Sequence, residues 1–327
     1  MGIKVSVIIP MYNVSGLIEP CVKSLCNQTY KDIELIFIND CSKDETIQVL
    51  NDLLAKHHSS NLECKIISHD MNRGVAAARN TGLNAATGDY IYSVDADDYI
   101  EPDTIESLVK ETYNGGKDIV SCEWLLEFGT NARHMVQPNF MTGEDLFRQM
   151  CYGKARWNLW LFLVRRSLFE DNHIRFVPGV NMGEDMMVML KMSLLADKTA
   201  VVHRPLYHYI QTNVNAISKD IRPYLGQIKD NVAEVEKYVN GHFGDRYDRL
   251  IDQLKLSLKL PLLISDKKKS YIQWLELWPE TNCRISDNPE ISWRTRIIQG
   301  AASKKMFIIL YLYYWCVIKF VYGILYK

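Results

Sequence analysis

No C-x-x-C pair occurs in the 327 residues, although eight cysteines are present, at positions 21, 26, 41, 64, 122, 151, 283 and 316. That scatter supports neither a disulfide scaffold nor a structural zinc site, and it suits a reducing, cytoplasmic compartment. Excess charge is missing too. Thirty-eight basic and 39 acidic side chains leave a formal net charge of -1, which gives no footprint for nucleic acid. The first apolar run is not followed by G-x-G-x-x-G, which argues against a dinucleotide dehydrogenase, and the lack of G-x-x-x-x-G-K-[ST] excludes a P-loop. MGIKVSVIIPMYN lacks the apolar core and small-residue cleavage site of a signal peptide. Its M-G-x-x-x-S spelling fits an acylation pattern, but residues 3–9 read as a core strand. Asn13-Val14-Ser15 and Asn27-Gln28-Thr29 are glycosylation sequons in spelling only for a cytoplasmic chain. There is no internal repeat and no low-complexity linker.

What is present is an ordinary globular balance, 47% hydrophobic and 24% charged, with length for about two domains. Over the first hundred residues, strand and helix signals alternate. Residues 4–10, 33–38, 64–68, 89–94 and 118–124 are apolar and β-rich. Between them fall helical stretches ending near Cys26 and spanning 44–57, 74–86 and 105–113, the last with Pro102 as its first residue. That rhythm predicts right-handed crossovers and an α/β fold with a mainly parallel sheet flanked by helices. Farther on, 142–150 and the Met-rich 181–197 read as helices, while 157–164, 199–203 and 206–210 read as extended. From residue 221 onward the pattern is helical.

In open α/β sheets ligands bind outside the carboxyl ends of the strands. Tyr12-Asn13, Asn39-Asp40 and Asp95-Ala96-Asp97-Asp98 each end a predicted strand, so these polar groups gather at one sheet edge. Asp95 and Asp97, two apart in extended chain, share a face. Two bare carboxylates about 4 Å apart repel by about 4 kcal/mol at an effective dielectric near 20. A hard divalent cation, Mg²⁺ or Mn²⁺, carrying a diphosphate would relieve that repulsion, since such ions take one or two protein carboxylates and substrate oxygens. A solvated turn with side-chain hydrogen bonds is the plain alternative.

VSVIIPMYN, IELIFINDCSKDET and NRGVAAARNTGLNAATGDYIYSVDADDYIEPD resemble, in order and spacing across residues 5–103, the landmarks of the family 2 inverting glycosyltransferases, whose fold is GT-A, a Rossmann-like arrangement. GVNMGEDMMVMLKMSLLAD at 179–197 resembles the family's acceptor-side G-E-D helix, and LYHYIQTNVNAIS at 206–218 the segment after it. The resemblance implies metal-dependent transfer of a sugar from a nucleotide diphosphate donor, usually UDP-linked, to a hydroxyl of a glycan or lipid-linked glycan, as in polysaccharide biosynthesis. It assigns the nucleotide to Pro10, Tyr12, Asn13, Asp40, Arg79 and Asp95, with Asp40 reading the base and Asp95 the ribose. Asp97 would bind the metal, with Asp98 as an alternative ligand and His208 reaching metal or diphosphate. Asp185 would be the general base, with Glu184 next in line. One landmark departs from the usual spelling: Cys41 stands where D-D-G-S has glycine, which puts the turn geometry in question.

Competing readings follow. A protein that keeps the nucleotide pocket without transfer activity would show the same motifs, whereas a nucleotidyltransferase would need a Gly-rich basic loop after the first strand. Met186, Met187, Met189 and Met192 suit packing, and Trp157 and Trp160 suit core better than a sugar platform. The expected divisions are 1–116 for the nucleotide-sugar part, 117–220 for the acceptor part, 221–305 for a helical extension and 306–327 for a membrane-associating helix. The last segment, 306–326, is apolar and aromatic with one internal charge, Lys319, behind Arg294, Arg296, Lys304 and Lys305. It suits a helix lying in a membrane interface, with a span or internal burial as the alternatives. The chain is therefore expected to be peripheral at the inner face of the membrane, and homo-oligomerisation is left open.

Overall fold

A computed structural model describes residues 2–57, 62–212 and 222–322. Chain contacts divide it into two units, residues 1–147 with 155–235, and residues 148–154 with 236–327. The division at 235 falls inside a helix.

The first unit carries one sheet. Its strands are β1 (Val5–Met11), β2 (Ile33–Asn39), β3 (Glu63–Ser68), β4 (Tyr90–Ser93), β5 (Tyr99–Ile100), β6 (Ile119–Glu127), β7 (Ala132–Met135), β8 (Phe162–Arg165) and β9 (Thr199–Ile210). The order is β3-β2-β1-β4-β8-β6-β9-β5, with β7 paired to β6. β3, β2, β1 and β4 run parallel. Helices α1 (Ile18–Cys26), α2 (Thr46–His57), α3 (Val75–Ala85), α4 (Thr104–Glu111), α5 (Gly143–Cys151), α6 (Arg166–Glu170), α7 (Glu184–Leu195) and α8 (Leu225–Phe243) complete the series. β2 and β4 are buried at every residue and β1 at all but Pro10, the continuous apolar runs of a sheet covered on both faces. β3, at the edge, has no buried residue. The Ala-rich stretch of α3 has a steric reason, since a Cβ on Gly82 would lie 2.4 Å from Ile8 of β1.

Several elements differ from their sequence expectation. The run 157–164 is a 3₁₀ turn at Leu159–Leu161 followed by β8, and Trp160 sits buried among Trp124, Tyr207 and Tyr209 as core. The extended pieces 199–203 and 206–210 form one strand, β9, through Pro205. Proline cannot donate to the ladder, and the register against β6 slips beside Glu123, the residue opposite Pro205. Pro102 lies ahead of α4, outside its first turn. β5 and β7 are too short or too polar to announce themselves.

In the second unit, α9 (Asp248–Lys259), α10 (Lys268–Glu276), α11 (Trp293–Ser303) and α12 (Phe307–Tyr313) follow, and a π-helical stretch, Tyr314–Tyr322, continues α12. Its core is organised by Trp274 and Lys259. The lysine ammonium lies 4.3 Å from the indole centroid and donates to Leu277 O, Trp278 O and Asn282 Oδ1, so all three of its donors are used. Among the described residues no helix is long and apolar enough to cross a membrane. The part of the expected tail helix at 323–326 lies outside them.

Candidate functional site

Strand order 3-2-1-4 reverses direction between β1 and β4, and the crevice at such a reversal is where open α/β sheets receive ligands. Met11 stands opposite Asn39, so β1 and β2 end level, and the Val94 N–H donates to Ile8 O at 3.1 Å. Tyr12-Asn13, Asp40-Cys41 and the Asp95–Asp98 turn therefore emerge side by side. Tyr12 is 46% exposed there, its ring available to a planar partner.

The loop after β2 is tied down from three sides. Asn13, left-handed at φ +53°, accepts the Lys43 N–H at 2.7 Å and donates its own N–H to Ser42 Oγ at 3.1 Å. Asn39 Oδ1 accepts the Ser42 N–H at 3.0 Å. Cys41 adopts φ +61°, the conformation that glycine would take most easily at this position. The turn thus survives the cysteine, at some backbone strain.

Asp40 is buried and its carboxylate is largely committed. Oδ1 accepts the Arg73 N–H at 2.9 Å and meets His69 Nδ1 at 2.7 Å, while Oδ2 accepts the Gly74 N–H at 2.7 Å. A carboxylate offers about four acceptor positions, so about one is left for a ligand donor. The Asn72-Arg73-Gly74 loop hangs on this carboxylate. Gly74 has φ +84°, and a Cβ there would fall 2.4 Å from Asn181, whose Oδ1 accepts the Ala76 N–H at the start of α3.

Arg79, buried on α3, holds three carboxylates together. Its Nη1 lies 2.7 Å from Glu184 and 2.5 Å from Asp185, and Nη2 lies 3.3 Å from Asp95. Its ring neighbour is Phe176, 5.6 Å from guanidinium carbon to centroid. One cation among three anions leaves negative charge over, and the acids respond. Burial pushes the Glu184 carboxyl up to about 8, helped by Asp185 and opposed by Arg79. Burial likewise pushes Asp95 up to about 6 although a third of its side chain is accessible; Arg79 opposes the rise, and Asp185 and Asp97 add to it. Glu184 and Asp185 open α7 after Gly183, where acids also favour the helix N-terminus. The second oxygen of Asp185 accepts the Leu159 N–H at 3.1 Å, so this side chain is oriented from two directions.

Asp98 and His208 have protein partners in place of an open coordination position. Asp98 Oδ2 accepts from Tyr207 Oη at 2.8 Å and Oδ1 accepts the Ile210 N–H at 2.8 Å. Burial holds its carboxyl well above the usual range, with Asp95 and Asp97 adding to the effect. His208 Nδ1 meets Glu127 at 2.8 Å, Nε2 meets Glu101 at 2.9 Å, and its ring stacks on Tyr99 at 4.1 Å. Both residues brace β5 against β9 behind the turn. Among the described residues no three His, Cys, Asp or Glu side chains form a ready-made metal cage. Asp97 lies half-buried on the same turn.

Three contributors escaped the sequence reading. His69 holds Asp40 with one ring nitrogen and Thr81 with the other. Asn181 caps α3 from a distant loop. Tyr207 Oη takes the Asp95 N–H at 3.1 Å while donating to Asp98. All three act through long-range contacts, and only Tyr207, adjacent to His208, lay beside a residue singled out by sequence.

The glycosyl transferase family 2 model matches residues 6–186. A Bacillus subtilis strain 168 protein named uncharacterized glycosyltransferase EpsJ is 32% identical over 223 residues, 66% of this chain and 63% of its own length. The chain thus spans under two thirds of that relative. The chondroitin synthase of Pasteurella multocida strain Pm70 is 42% identical over 272 residues, 77% of this chain and 27% of the synthase. Among solved structures, residues 1–349 of S. aureus TarS in complex with UDP-GlcNAc superpose with a TM-score of 0.70 at 19% identity, covering 95% of this chain and 91% of that one. The shared fold therefore extends beyond the residues matched by the family model.

Proposed function

The chain belongs to glycosyl transferase family 2, and from that premise we propose that it moves a sugar, with inversion, from a UDP-sugar to a hydroxyl of a glycan or lipid-linked glycan. The observation that carries this reading is the Arg79 junction, which joins a donor-side carboxylate, Asp95, to an acceptor-side one, Asp185, at the reversal of strand order. The TarS complex, which shares the fold, holds UDP-GlcNAc, and that supports the choice of nucleotide. Tyr12 and Pro10 form the wall for the base, Asp40 and Asn13 hold the floor of that pocket, and Asp95 receives the ribose.

A divalent ion, Mn²⁺ or Mg²⁺, held by Asp97 and the diphosphate, would neutralise charge on the departing group. The chain's own residues do the rest. Asp185, aimed by Arg79 and the Leu159 amide, takes the proton of the acceptor hydroxyl as its oxygen bonds to the anomeric carbon. The bond from that carbon to the diphosphate breaks, and its electron pair leaves with UDP. Glu184 is the poorer base, since burial keeps its carboxyl protonated at neutral pH. Asp98 and His208 hold the turn in shape. A lipid-linked acceptor places the chain at the inner face of a membrane.

The test is a panel of nucleotide sugars assayed for metal-dependent release of free UDP. The reading expects turnover with at least one UDP-sugar, and Asp185→Asn to remove it, by about 10²–10⁴-fold, with UDP binding retained. Tight UDP binding without turnover of any donor would leave a nucleotide-sugar-binding protein instead.

A further inference from the structure

The helices that close the second unit turn apolar side chains outward. In α12 only Leu310 is buried, whereas Ile308 is 66% exposed, Tyr311 43% and Leu312 53%, and Trp315 in the π-helical stretch that follows is 45% exposed. Positions 308, 311, 312 and 315 form one stripe at helical spacing. Phe320, 67% exposed, continues the outward apolar surface beyond α12, and α11 adds Trp293 at 68% and Ile297 at 51%, four residues apart. A helix packed on a soluble core shows the reverse pattern, with its apolar stripe inward. An exposed surface of this kind marks an interaction site.

The charges around it are of one sign. From residue 291 to 327 there is no Asp or Glu, against six basic residues: Arg294, Arg296, Lys304, Lys305, Lys319 and Lys327. The chain's net charge of -1 therefore divides into +6 here and -7 over residues 1–290. Lys304 and Lys305 are exposed at the bend between α11 and α12, where Lys305 takes φ +57°. Lys319 lies 5.8 Å from the Tyr314 ring centroid.

We propose that the exposed apolar side chains of α12 and of the π-helical stretch after it dock on the surface of an anionic lipid bilayer, lying within the interface without crossing it. Three features favour that occupant. Trp and Tyr rings with apolar neighbours suit the boundary between headgroups and acyl chains. Lysine and arginine beside them meet anionic headgroups. A second copy of the chain across a two-fold axis would set these cations against their own images. The proposal extends the membrane part of the functional reading and does not depend on the transfer chemistry.

The test is co-sedimentation of the full chain, without substrate, with vesicles of phosphatidylcholine alone or containing phosphatidylglycerol. Binding to the phosphatidylglycerol vesicles is expected, weakened by added salt. Lys304→Gln with Lys305→Gln should weaken it about 30-fold, and Ile308→Ser, Leu312→Ser and Trp315→Ser together more than about 100-fold. All of these side chains are exposed, so unchanged melting temperatures should accompany the losses, as should unchanged UDP-sugar hydrolysis without vesicles. Failure of the folded chain to bind phosphatidylglycerol vesicles would overturn the proposal. So would full binding by the triple-serine variant, or a concentration-dependent dimer that this variant abolishes while no vesicles are bound. Loss of hydrolysis with vesicle binding intact would instead count against the transferase reading alone.

Discussion

Arg79 Nη1 stands 2.5 Å from Asp185 Oδ1, and this contact ties the helix after the Asn72-Arg73-Gly74 loop to the start of the G-E-D helix. The pair is buried on the arginine side, with Glu184 and Asp95 sharing the same guanidinium. Removing one partner of a buried ion pair is far costlier than never having built it, because the other charge stays behind.

Arg79→Met keeps an unbranched stem and removes the guanidinium, so three carboxylates lose their cation. A stability loss of about 3–5 kcal/mol is expected at pH 8. The loss should be smaller at pH 5. Glu184, with its carboxyl at about 8 in the folded protein, is already protonated at pH 5 and needs no cation there. Urea unfolding of parent and variant at the two pH values measures the difference. An equal deficit at both would mean that Arg79 matters for packing on Phe176 and not for charge.

Glu34, at the other end of the sheet, is shifted in the opposite direction to Glu184. It is buried and accepts from Ser6 Oγ at 2.6 Å, the Thr87 N–H at 2.7 Å, Thr87 Oγ1 at 2.8 Å and Lys65 Nζ at 2.7 Å. Burial works to raise its carboxyl, but these donors outweigh it and hold the group at about 2. The folded pKa is depressed, so the unfolded chain binds more protons between pH 2 and 4.5 and stability falls as pH drops through that window. The contribution is about 3 kcal/mol above pH 4.5. Glu34→Gln should lose it and show a flatter acid limb in urea unfolding at pH 3 and pH 7.

The contrast between these two acids shows what sequence reading reaches. Asp95 stands out because it follows a strand end, and Asp185 only through the resemblance of its G-E-D stretch; their shared ion pair with Arg79 appears only in the structure. Glu34 sits inside IELIFIN, where alternation says nothing of a carboxylate whose partners come from residues 4–6, 65 and 87–88. The core strands β1, β2 and β4 are plainer, being mostly apolar runs. β5 has two residues and no pattern of its own; it exists because Tyr99 and Ile100 pair with β9. The resemblance makes Asp98 an alternative metal ligand and has His208 reach metal or diphosphate, and only tertiary contacts show that Tyr207, Ile210, Glu101 and Glu127 engage them.

Cys41 tests how much backbone strain the loop after β2 tolerates. At φ +61° a side chain with Cβ costs about 1–2 kcal/mol relative to glycine, offset in part by the greater freedom glycine loses on folding. Cys41→Gly is therefore expected to be neutral or up to about 1 kcal/mol more stable, at unchanged UDP affinity. Cys41→Val, β-branched at positive φ, should lose about 2 kcal/mol and weaken UDP binding with it. Thermal melts with and without UDP separate the two effects. A valine variant as stable as the parent would mean that the loop can take another path.

Tyr207→Phe isolates a single hydroxyl beneath the acidic turn. The ring stacks on Trp160 at 4.2 Å between centroids, and phenylalanine keeps that contact. What goes is the donor to Asp98 Oδ2 and the acceptor for the Asp95 N–H, two hydrogen bonds in a buried site. A loss of about 1–3 kcal/mol is expected from the groups left unpaired. If the hydroxyl fixes the turn that presents Asp95 and Asp97, the donor KM should rise several-fold while kcat changes little, because Asp185 and Arg79 are untouched. A fall in kcat at constant KM would move the role of Tyr207 from donor placement to the acceptor side. Stability lost with both constants unchanged would reduce it to packing.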